Sequence, residues 1–433
     1  MNVDLNATPG ADGGTMCTDC ERARLSRRGF LGGAAGLAAL GMVSGFGPFG
    51  STQLAFADSS YDGDVLVVVS LRGGFDGLSA VVPAGDPNYA PNRPSIGVPS
   101  SQLFTLDSMF GMNQALAPLI PFWNAGQLAF VHAVGQKDPT MSHFEAMEEM
   151  ERAAPGSSVR TGWIDRMAGV TGTGTPFAAT SVGPATAPSS MSGSYPVTAM
   201  QSLSSFSLSG ASSQDVASWH TALRKLQHGA PSTIADPAVT TLAALKTTQS
   251  LSAQKYTPAN GATYPNDDVG GSLSSVAQLI KAGVGLRVAA VDCGNWDMHV
   301  GMGTPTNGWM YSNLTGLGQA LAAFATDLGS AFANVAVVTL SEFGRRVMEN
   351  DSQGLDHGHG NAVFVLGGGV KGGAVYGRWP GLANDDLVLG NLKGATDYRT
   401  ILAELLEKRC GLSTTRVFPG LGSTRLGLAN ART

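Results

Sequence analysis

Cysteine is scarce in this chain, and so is charge. Four cysteines occur among 433 residues, and two of them, Cys17 and Cys20, fall within the first twenty. Cys293 and Cys410 are left; two thiols make no disulfide scaffold, although a single bridge between them stays open. Charged residues are 14% of the chain and the formal net charge is −5. With no basic stripe, that balance argues against a nucleic-acid partner. After Ala57 no long uninterrupted apolar segment occurs, so no membrane span is expected beyond that point. No internal repeat is apparent. What the chain has in quantity is glycine, 58 residues of it, which suits a loop-rich enzyme better than a helical bundle.

The most specific motif is near the N-terminus. Ser26-Arg27-Arg28-Gly29-Phe30-Leu31-Gly32 opens an uncharged, Gly/Ala-rich run that reaches Ala55-Phe56-Ala57, with Asp58 the first charge after it. Paired arginines, a mildly apolar run and a small-x-small end read as a twin-arginine signal spanning 1–57. Its partners would be the twin-arginine translocation machinery and signal peptidase, and its destination the periplasm or the exterior. Cys17 and Cys20 would be discarded with it. That route carries proteins already folded, often because a metal or cofactor is loaded beforehand, so a metal site is sought in 58–433.

Valine-rich runs without polar alternation recur at 64–71, 128–134, 286–291, 335–340 and 362–366. Each fits a central strand covered on both faces. Helical stretches are expected at 114–125, 144–153, 274–282, 314–332 and 398–409. Their alternation predicts an α/β fold, a mostly parallel doubly wound sheet flanked by helices. Residues 157–275, rich in Gly, Ser and Thr and then helical, read as an insertion forming a lid or cap.

In such sheets ligands gather at the carboxyl ends of strands. There the chain places Gly73-Gly74-Phe75-Asp76, Asp292-Cys293-Gly294-Asn295-Trp296-Asp297-Met298-His299 and Ser341-Glu342-Phe343-Gly344-Arg345-Arg346. Asp356-His357-Gly358-His359-Gly360 precedes the last of the valine-rich strands. In extended backbone, residues i and i+2 share a face, so Asp297 with His299, and His357 with His359, can each offer two donors to one point. Asp356 then faces an imidazole as its hydrogen-bond partner. Carboxylates and imidazoles without thiolate suit Zn²⁺ or Mn²⁺. His143 follows Thr140 and Ser142 at a helix start, where a hydroxyl either caps the helix or, beside free N–H groups, serves as a nucleophile. Arg72 and Arg345 lie beside the expected ligands and suit an anion. His132, inside an apolar run, reads as a core residue; His220 and His228 read as structural.

Taken with Leu71-Arg72-Gly73-Gly74-Phe75-Asp76-Gly77-Leu78 and Ser142-His143-Phe144-Glu145-Ala146, these segments resemble, in order and over essentially the whole chain, the exported bacterial family called domain of unknown function 1501. That family is similar to the alkaline phosphatase and sulfatase superfamily. The resemblance implies a hydrolase of phosphate or sulfate esters with one or two divalent metals and a small anionic ester as substrate. It implies Asp76, Asp297, His299, Glu342 and His359 as metal ligands, with His357 as the substitute for a missing histidine, and Ser142, less readily Thr140, as nucleophile. Phe343 stands where a histidine ligand would be expected, and the formylglycine signature of sulfatases is missing near Ser142. The competing expectation is an exported non-catalytic binding or assembly protein with a degenerate or structural metal site.

Overall fold

The computed structural model describes residues 61–432 except 138, 173, 184–185, 208–214 and 253–254; the expected leader lies outside them. The strands are β1 (Val65–Leu71), β2 (Val81–Val82), β3 (Leu103–Thr105), β4 (Gly111–Asn113), β5 (Leu128–Gly135), β6 (Ala179–Val182), β7 (Thr198–Met200), β8 (Val288–Cys293), β9 (Val335–Leu340), β10 (Asn361–Gly367), β11 (Val375–Tyr376) and β12 (Thr396–Asp397). The longer helices are α1 (His143–Arg152), α2 (Trp163–Thr171), α3 (Val216–Gln227), α4 (Ser232–Ser252), α5 (Asp268–Lys281), α6 (Trp309–Leu328) and α7 (Tyr398–Lys408).

Nine strands form one sheet in the order β11-β5-β10-β9-β1-β8-β6-β7, with β12 also on β5, while β2, β4 and β3 make a small antiparallel sheet. The large sheet is mostly parallel: β1 pairs in parallel with β8 and β9, β6 with β7 and β8, and β11 and β12 with β5. Only β10 opposes its neighbours β5 and β9. Because β10 runs backwards, the residues that precede it emerge at the same edge as the carboxyl ends of β1, β8 and β9.

The valine runs form strands because both faces are covered, as an unalternating apolar segment requires. Val67, Val69 and Leu71 pack into one apolar layer with Leu273 and Val276 of α5 and Leu317 and Phe324 of α6. Leu66 and Val68 pack into the other with Ile164 of α2 and Leu402 and Leu405 of α7. Fully burying each such side chain contributes roughly 1.5–3 kcal/mol.

Two expectations are revised. The helix expected over 114–125 is a 3-10 segment, Gln114–Leu119, followed by one turn, Ile120–Asn124, because Pro118 and Pro121 interrupt the α-helical hydrogen-bond ladder. Nor is 157–275 a block apart from the sheet. Its short strands β6 and β7 extend the sheet beyond β8, and α5 packs on the core. Those strands read Ala-Thr-Ser-Val and Thr-Ala-Met, with no valine run to announce them. Only α3 and α4 gather around an apolar cluster of their own, Trp219, Leu223, Leu242 and Leu245. Both remaining thiols are free and buried; burial pushes Cys293 up to about 12 and Cys410 up to about 11.

His132 is buried in β5, stacked on Phe110 and edge-on to Trp379. Its Nε2 lies 2.9 Å from the Val81 carbonyl, and its Nδ1 accepts from the Ala133 N–H at 2.9 Å. Burial lowers its pKa from 6.5 to about 4, against the Val81 hydrogen bond and the charge of Asp76. The unfolded chain therefore takes up a proton near pH 6.5 that the folded chain refuses until about 4. Stability rises with pH across that window and falls as pH drops through it, by up to about 3 kcal/mol. His132→Gln is expected to flatten the fall in urea-unfolding free energy between pH 6.5 and 4 by about one proton's worth. An unchanged slope would assign the acid sensitivity elsewhere.

Candidate metal centre

Five loops at one sheet edge build the site, those after β1, β5, β8 and β9 and the one before β10. After β1 the chain turns at Gly73 and Gly74, with φ +114° and +68°. This left-handed backbone favours glycine, and a Cβ on Gly73 would lie 2.7 Å from the Asp297 backbone nitrogen. The turn aims the Gly73 N–H at Glu342 Oε1, 2.8 Å away, while the Phe75 N–H donates to Ser341 Oγ at 2.9 Å. After β8, the Trp296 indole donates to the Cys293 carbonyl and its ring meets Phe75 edge to face, fixing the loop that carries Asp297 and His299. After β9 come Glu342, Phe343 and Arg345. The segment before β10 is held to them by an antiparallel bridge between Arg345 and His357.

Arg345 ties these loops together. Its buried guanidinium donates to the carbonyls of Gly74 at 2.6 Å, Leu355 at 2.9 Å and Trp296 at 3.1 Å, to the Gly73 carbonyl, and to Asp297 Oδ1 at 2.6 Å. Every arm is occupied, so Arg345 is a scaffold cation rather than a free anion holder. Burial pushes the Asp297 carboxyl upward, but Arg345 outweighs it and holds the group below its ordinary value.

Around Asp297 three imidazoles converge. Oδ1 lies 3.5 Å from His143 Nε2, 3.1 Å from His299 Nε2 and 3.6 Å from His357 Nε2, and the Nε2 atoms of His299 and His357 are 2.9 Å apart. One donor atom each from His143, Asp297 and His357 all lie within 4.8 Å of one another. On the far side each ring meets an oxygen acceptor. Nδ1 of His143 faces Glu342 Oε1 at 2.7 Å, that of His299 faces Asp356 Oδ1 at 3.1 Å, and that of His357 faces the Met141 carbonyl at 2.7 Å. A carbonyl cannot donate and an ionised carboxylate accepts only, so each Nδ1 carries a proton, and in the neutral ring Nε2 is left with its lone pair for a ligand. Orientation of imidazoles by carboxylates and carbonyls in this way is the usual arrangement behind metal-bound histidines.

His143 Nε2 is buried and has no hydrogen-bond partner. Nε2 lone pairs facing a carboxylate oxygen at these separations are reconciled by a cation between them, either a proton or a metal ion. Donor atoms on a tetrahedral ion with bonds of about 2.0–2.1 Å stand roughly 3.3–3.4 Å apart, close to the spacing here. The residues fit a divalent metal. Phe343, at the place of an expected histidine, packs its buried ring on His143 and His357 at 4.7 and 4.8 Å between centroids and walls the rings in. Burial lowers the His357 pKa, with the charges of His143, Arg345 and His299 acting in the same sense against the Met141 carbonyl. The His299 hydrogen bond lowers that of Asp356.

Not every expected ligand comes here. Asp76 is buried under Arg93, which grips both its oxygens at 2.6 and 2.9 Å and also bonds the carbonyls of Arg346 and Val347. Its carboxylate is the anchor of an internal ion pair. His359 parts from His357: its Nε2 lies 2.9 Å from the Gln136 carbonyl and its Nδ1 accepts from the Gly394 N–H at 3.4 Å. Burial lowers its pKa. Glu342 stands behind His143. Ser142 caps α1, accepting from the Glu145 N–H at 3.5 Å. Thr140 donates to Glu145 Oε2 at 2.9 Å and accepts from the Ser142 N–H at 3.3 Å. Arg72 is paired with Glu151 at 2.9 Å and Asp292 at 2.7 Å.

His143 was the ligand that sequence reasoning passed over in favour of its neighbouring hydroxyls. The available signal was position, since it opens the helix that follows β5 at the carboxyl edge. His143 and Asp297 also line a cleft of about 910 Å³ whose walls include Arg72, Phe144, Arg152, Arg160 and Ser189.

The fold and this cluster define an α/β protein with a histidine–carboxylate centre at the carboxyl edge of a mostly parallel sheet. Residues 64–429 match the family described as "Protein of unknown function (DUF1501)", and the chain belongs to that family. No curated protein matches it.

Arg345→Met removes a buried cation bonded to four carbonyls and a carboxylate. It is expected to lower the urea-unfolding free energy by about 3–5 kcal/mol. Ser142→Ala, which removes a cap, should cost about 1 kcal/mol. Comparable losses in the two variants would show that Arg345 does not hold the loops together.

Proposed function

We propose that this chain is an exported, metal-dependent hydrolase of phosphate or related esters, acting in the periplasm or outside the cell on an alkaline phosphatase-like scaffold. The observation that carries the reading is the meeting of three imidazole Nε2 atoms around Asp297, with every Nδ1 facing an acceptor. His143, Asp297 and His357, with His299 alongside, would hold the ion, and Zn²⁺ or Mn²⁺ suits this donor set. Arg93 on Asp76 and the two partners of His359 occupy the remaining expected donors, so we infer one ion rather than two. When bound, the metal supplies a Lewis acid that polarises an ester oxygen and makes a hydroxyl more acidic.

The chain's own groups do the rest. Glu342, Asp356 and the Met141 carbonyl keep the Nδ1 protons in place, so the three rings hold one orientation through turnover. Arg345 keeps Asp297 ionised and fixed. Ser142 is the nucleophile we assign. It lies between Met141, which bonds His357, and His143 itself, at the N-terminus of α1, where unpaired N–H groups favour an anion. Its cap hydrogen bond is long, at 3.5 Å, which leaves the hydroxyl free to turn. The same cap favours the second reading, a non-catalytic exported protein with a structural metal, in which Ser142 does nothing else. Export rests on the 1–57 motif; among the described residues no helix is long and apolar enough to cross a membrane.

The test is metal analysis of the mature protein, followed by aryl phosphate and phosphodiester assays with added Zn²⁺ or Mn²⁺. One equivalent of metal is expected, with turnover lost on chelation and in His357→Ala and Asp297→Ala. Ser142→Ala should keep the metal and lose at least a hundredfold in rate. Metal retained without turnover of any ester would favour the structural reading. A folded protein that takes up no metal would overturn both.

A further inference from the structure

Sequence reasoning gave the anion-holding role to Arg72 and Arg345, and both guanidiniums are occupied. The cleft beside the cluster holds two further arginines. Arg152 is paired with Glu149 and donates to the carbonyls of Ser157 and Val159 at 3.2 and 3.0 Å. Arg160 is different: it is exposed, lines the cleft, and among the described residues has no ion pair or hydrogen bond. Beside His143, on the same wall, stands Phe144, 89% exposed. At the edge of a cleft, an exposed aromatic ring offers a face on which a ring can stack.

We propose that Arg160 anchors the anionic group of the substrate and that Phe144 stacks on a ring carried by the same molecule. The substrate class is then a phosphate or related ester of a ring-bearing alcohol. This inference rests on the hydrolase reading and narrows it. A guanidinium without a carboxylate partner keeps its five N–H donors for an incoming oxyanion, which it can grip with two of them. The exposed carboxylate of Glu148 also lines the cleft without a partner among the described residues. It repels the same anion and so sets a limit on affinity. The two side chains make separable contributions: Arg160 reads charge, whatever the ester carries, and Phe144 reads the ring, whatever the charge.

The experiment uses the metal-loaded mature protein with three probes: inorganic phosphate as a competitive ligand, and phenyl phosphate and ethyl phosphate as substrates. Arg160→Ala is expected to weaken phosphate binding and raise KM for both esters about tenfold, with metal content unchanged. Arg160→Lys should recover part of the loss, and Glu148→Gln should tighten phosphate binding about two- to threefold. Phe144→Ala should raise KM for phenyl phosphate several-fold and leave that for ethyl phosphate within twofold. Unchanged phosphate affinity in Arg160→Ala, or equal effects of Phe144→Ala on both esters, overturns the inference while wild-type turnover leaves the hydrolase reading standing. Loss of metal in Arg160→Ala would assign that side chain to the scaffold and overturn it as well. A wild-type protein that binds metal but neither hydrolyses these esters nor binds phosphate overturns the hydrolase reading and this inference with it.

Discussion

Three imidazoles turn their Nε2 edges toward one carboxylate oxygen, and the rest of the site is arranged around that meeting. Their Nδ1 edges are held by Glu342, Asp356 and the Met141 carbonyl, so no ring can flip its tautomer without losing a hydrogen bond. The loops that carry these groups come from four separate strands. Arg345 ties three of them to one another and to the loop after β1, through Asp297 and the carbonyls of Gly73, Gly74, Trp296 and Leu355.

The sheet explains why these loops meet. Parallel strands deliver their carboxyl ends to one edge, and β10, the reversed strand, delivers its beginning to that edge as well. Short connections then suffice. Glycine at 73 lets the first loop approach the backbone of the third, and Phe343 fills the space between two rings that a polar side chain would have bridged.

How far the sequence could be read follows from where its signal is local. The strands β1, β5, β9 and β10 were legible because a strand buried on both faces is a run of apolar, mostly β-branched residues. The short strands β6 and β7, built from small and hydroxylic residues, were not. They are strands because β8 lies beside them, which is a tertiary fact. Asp297 and His357 could be picked out because they cluster with other polar residues at strand ends. Asp76 and His359 carry the same local pattern and go elsewhere. Arg93, seventeen residues on, captures the first, and the Gln136 carbonyl, more than two hundred residues away in sequence, captures the second. His143 was masked by its helix-cap neighbours. Which polar side chain has a partner is settled by the fold, and the partner is seldom nearby in the chain.

The account stands or falls on the protonation of those rings. Nitrogen-15 NMR of histidine-labelled mature protein, recorded metal-free and then titrated with Zn²⁺, reads each ring nitrogen directly. The account predicts that His143, His299 and His357 carry their protons on Nδ1 throughout. It further predicts that the Nε2 resonances of His143 and His357 shift together and saturate at one equivalent of Zn²⁺. Protons on Nε2 in the metal-free protein, with no response to the ion, would contradict it.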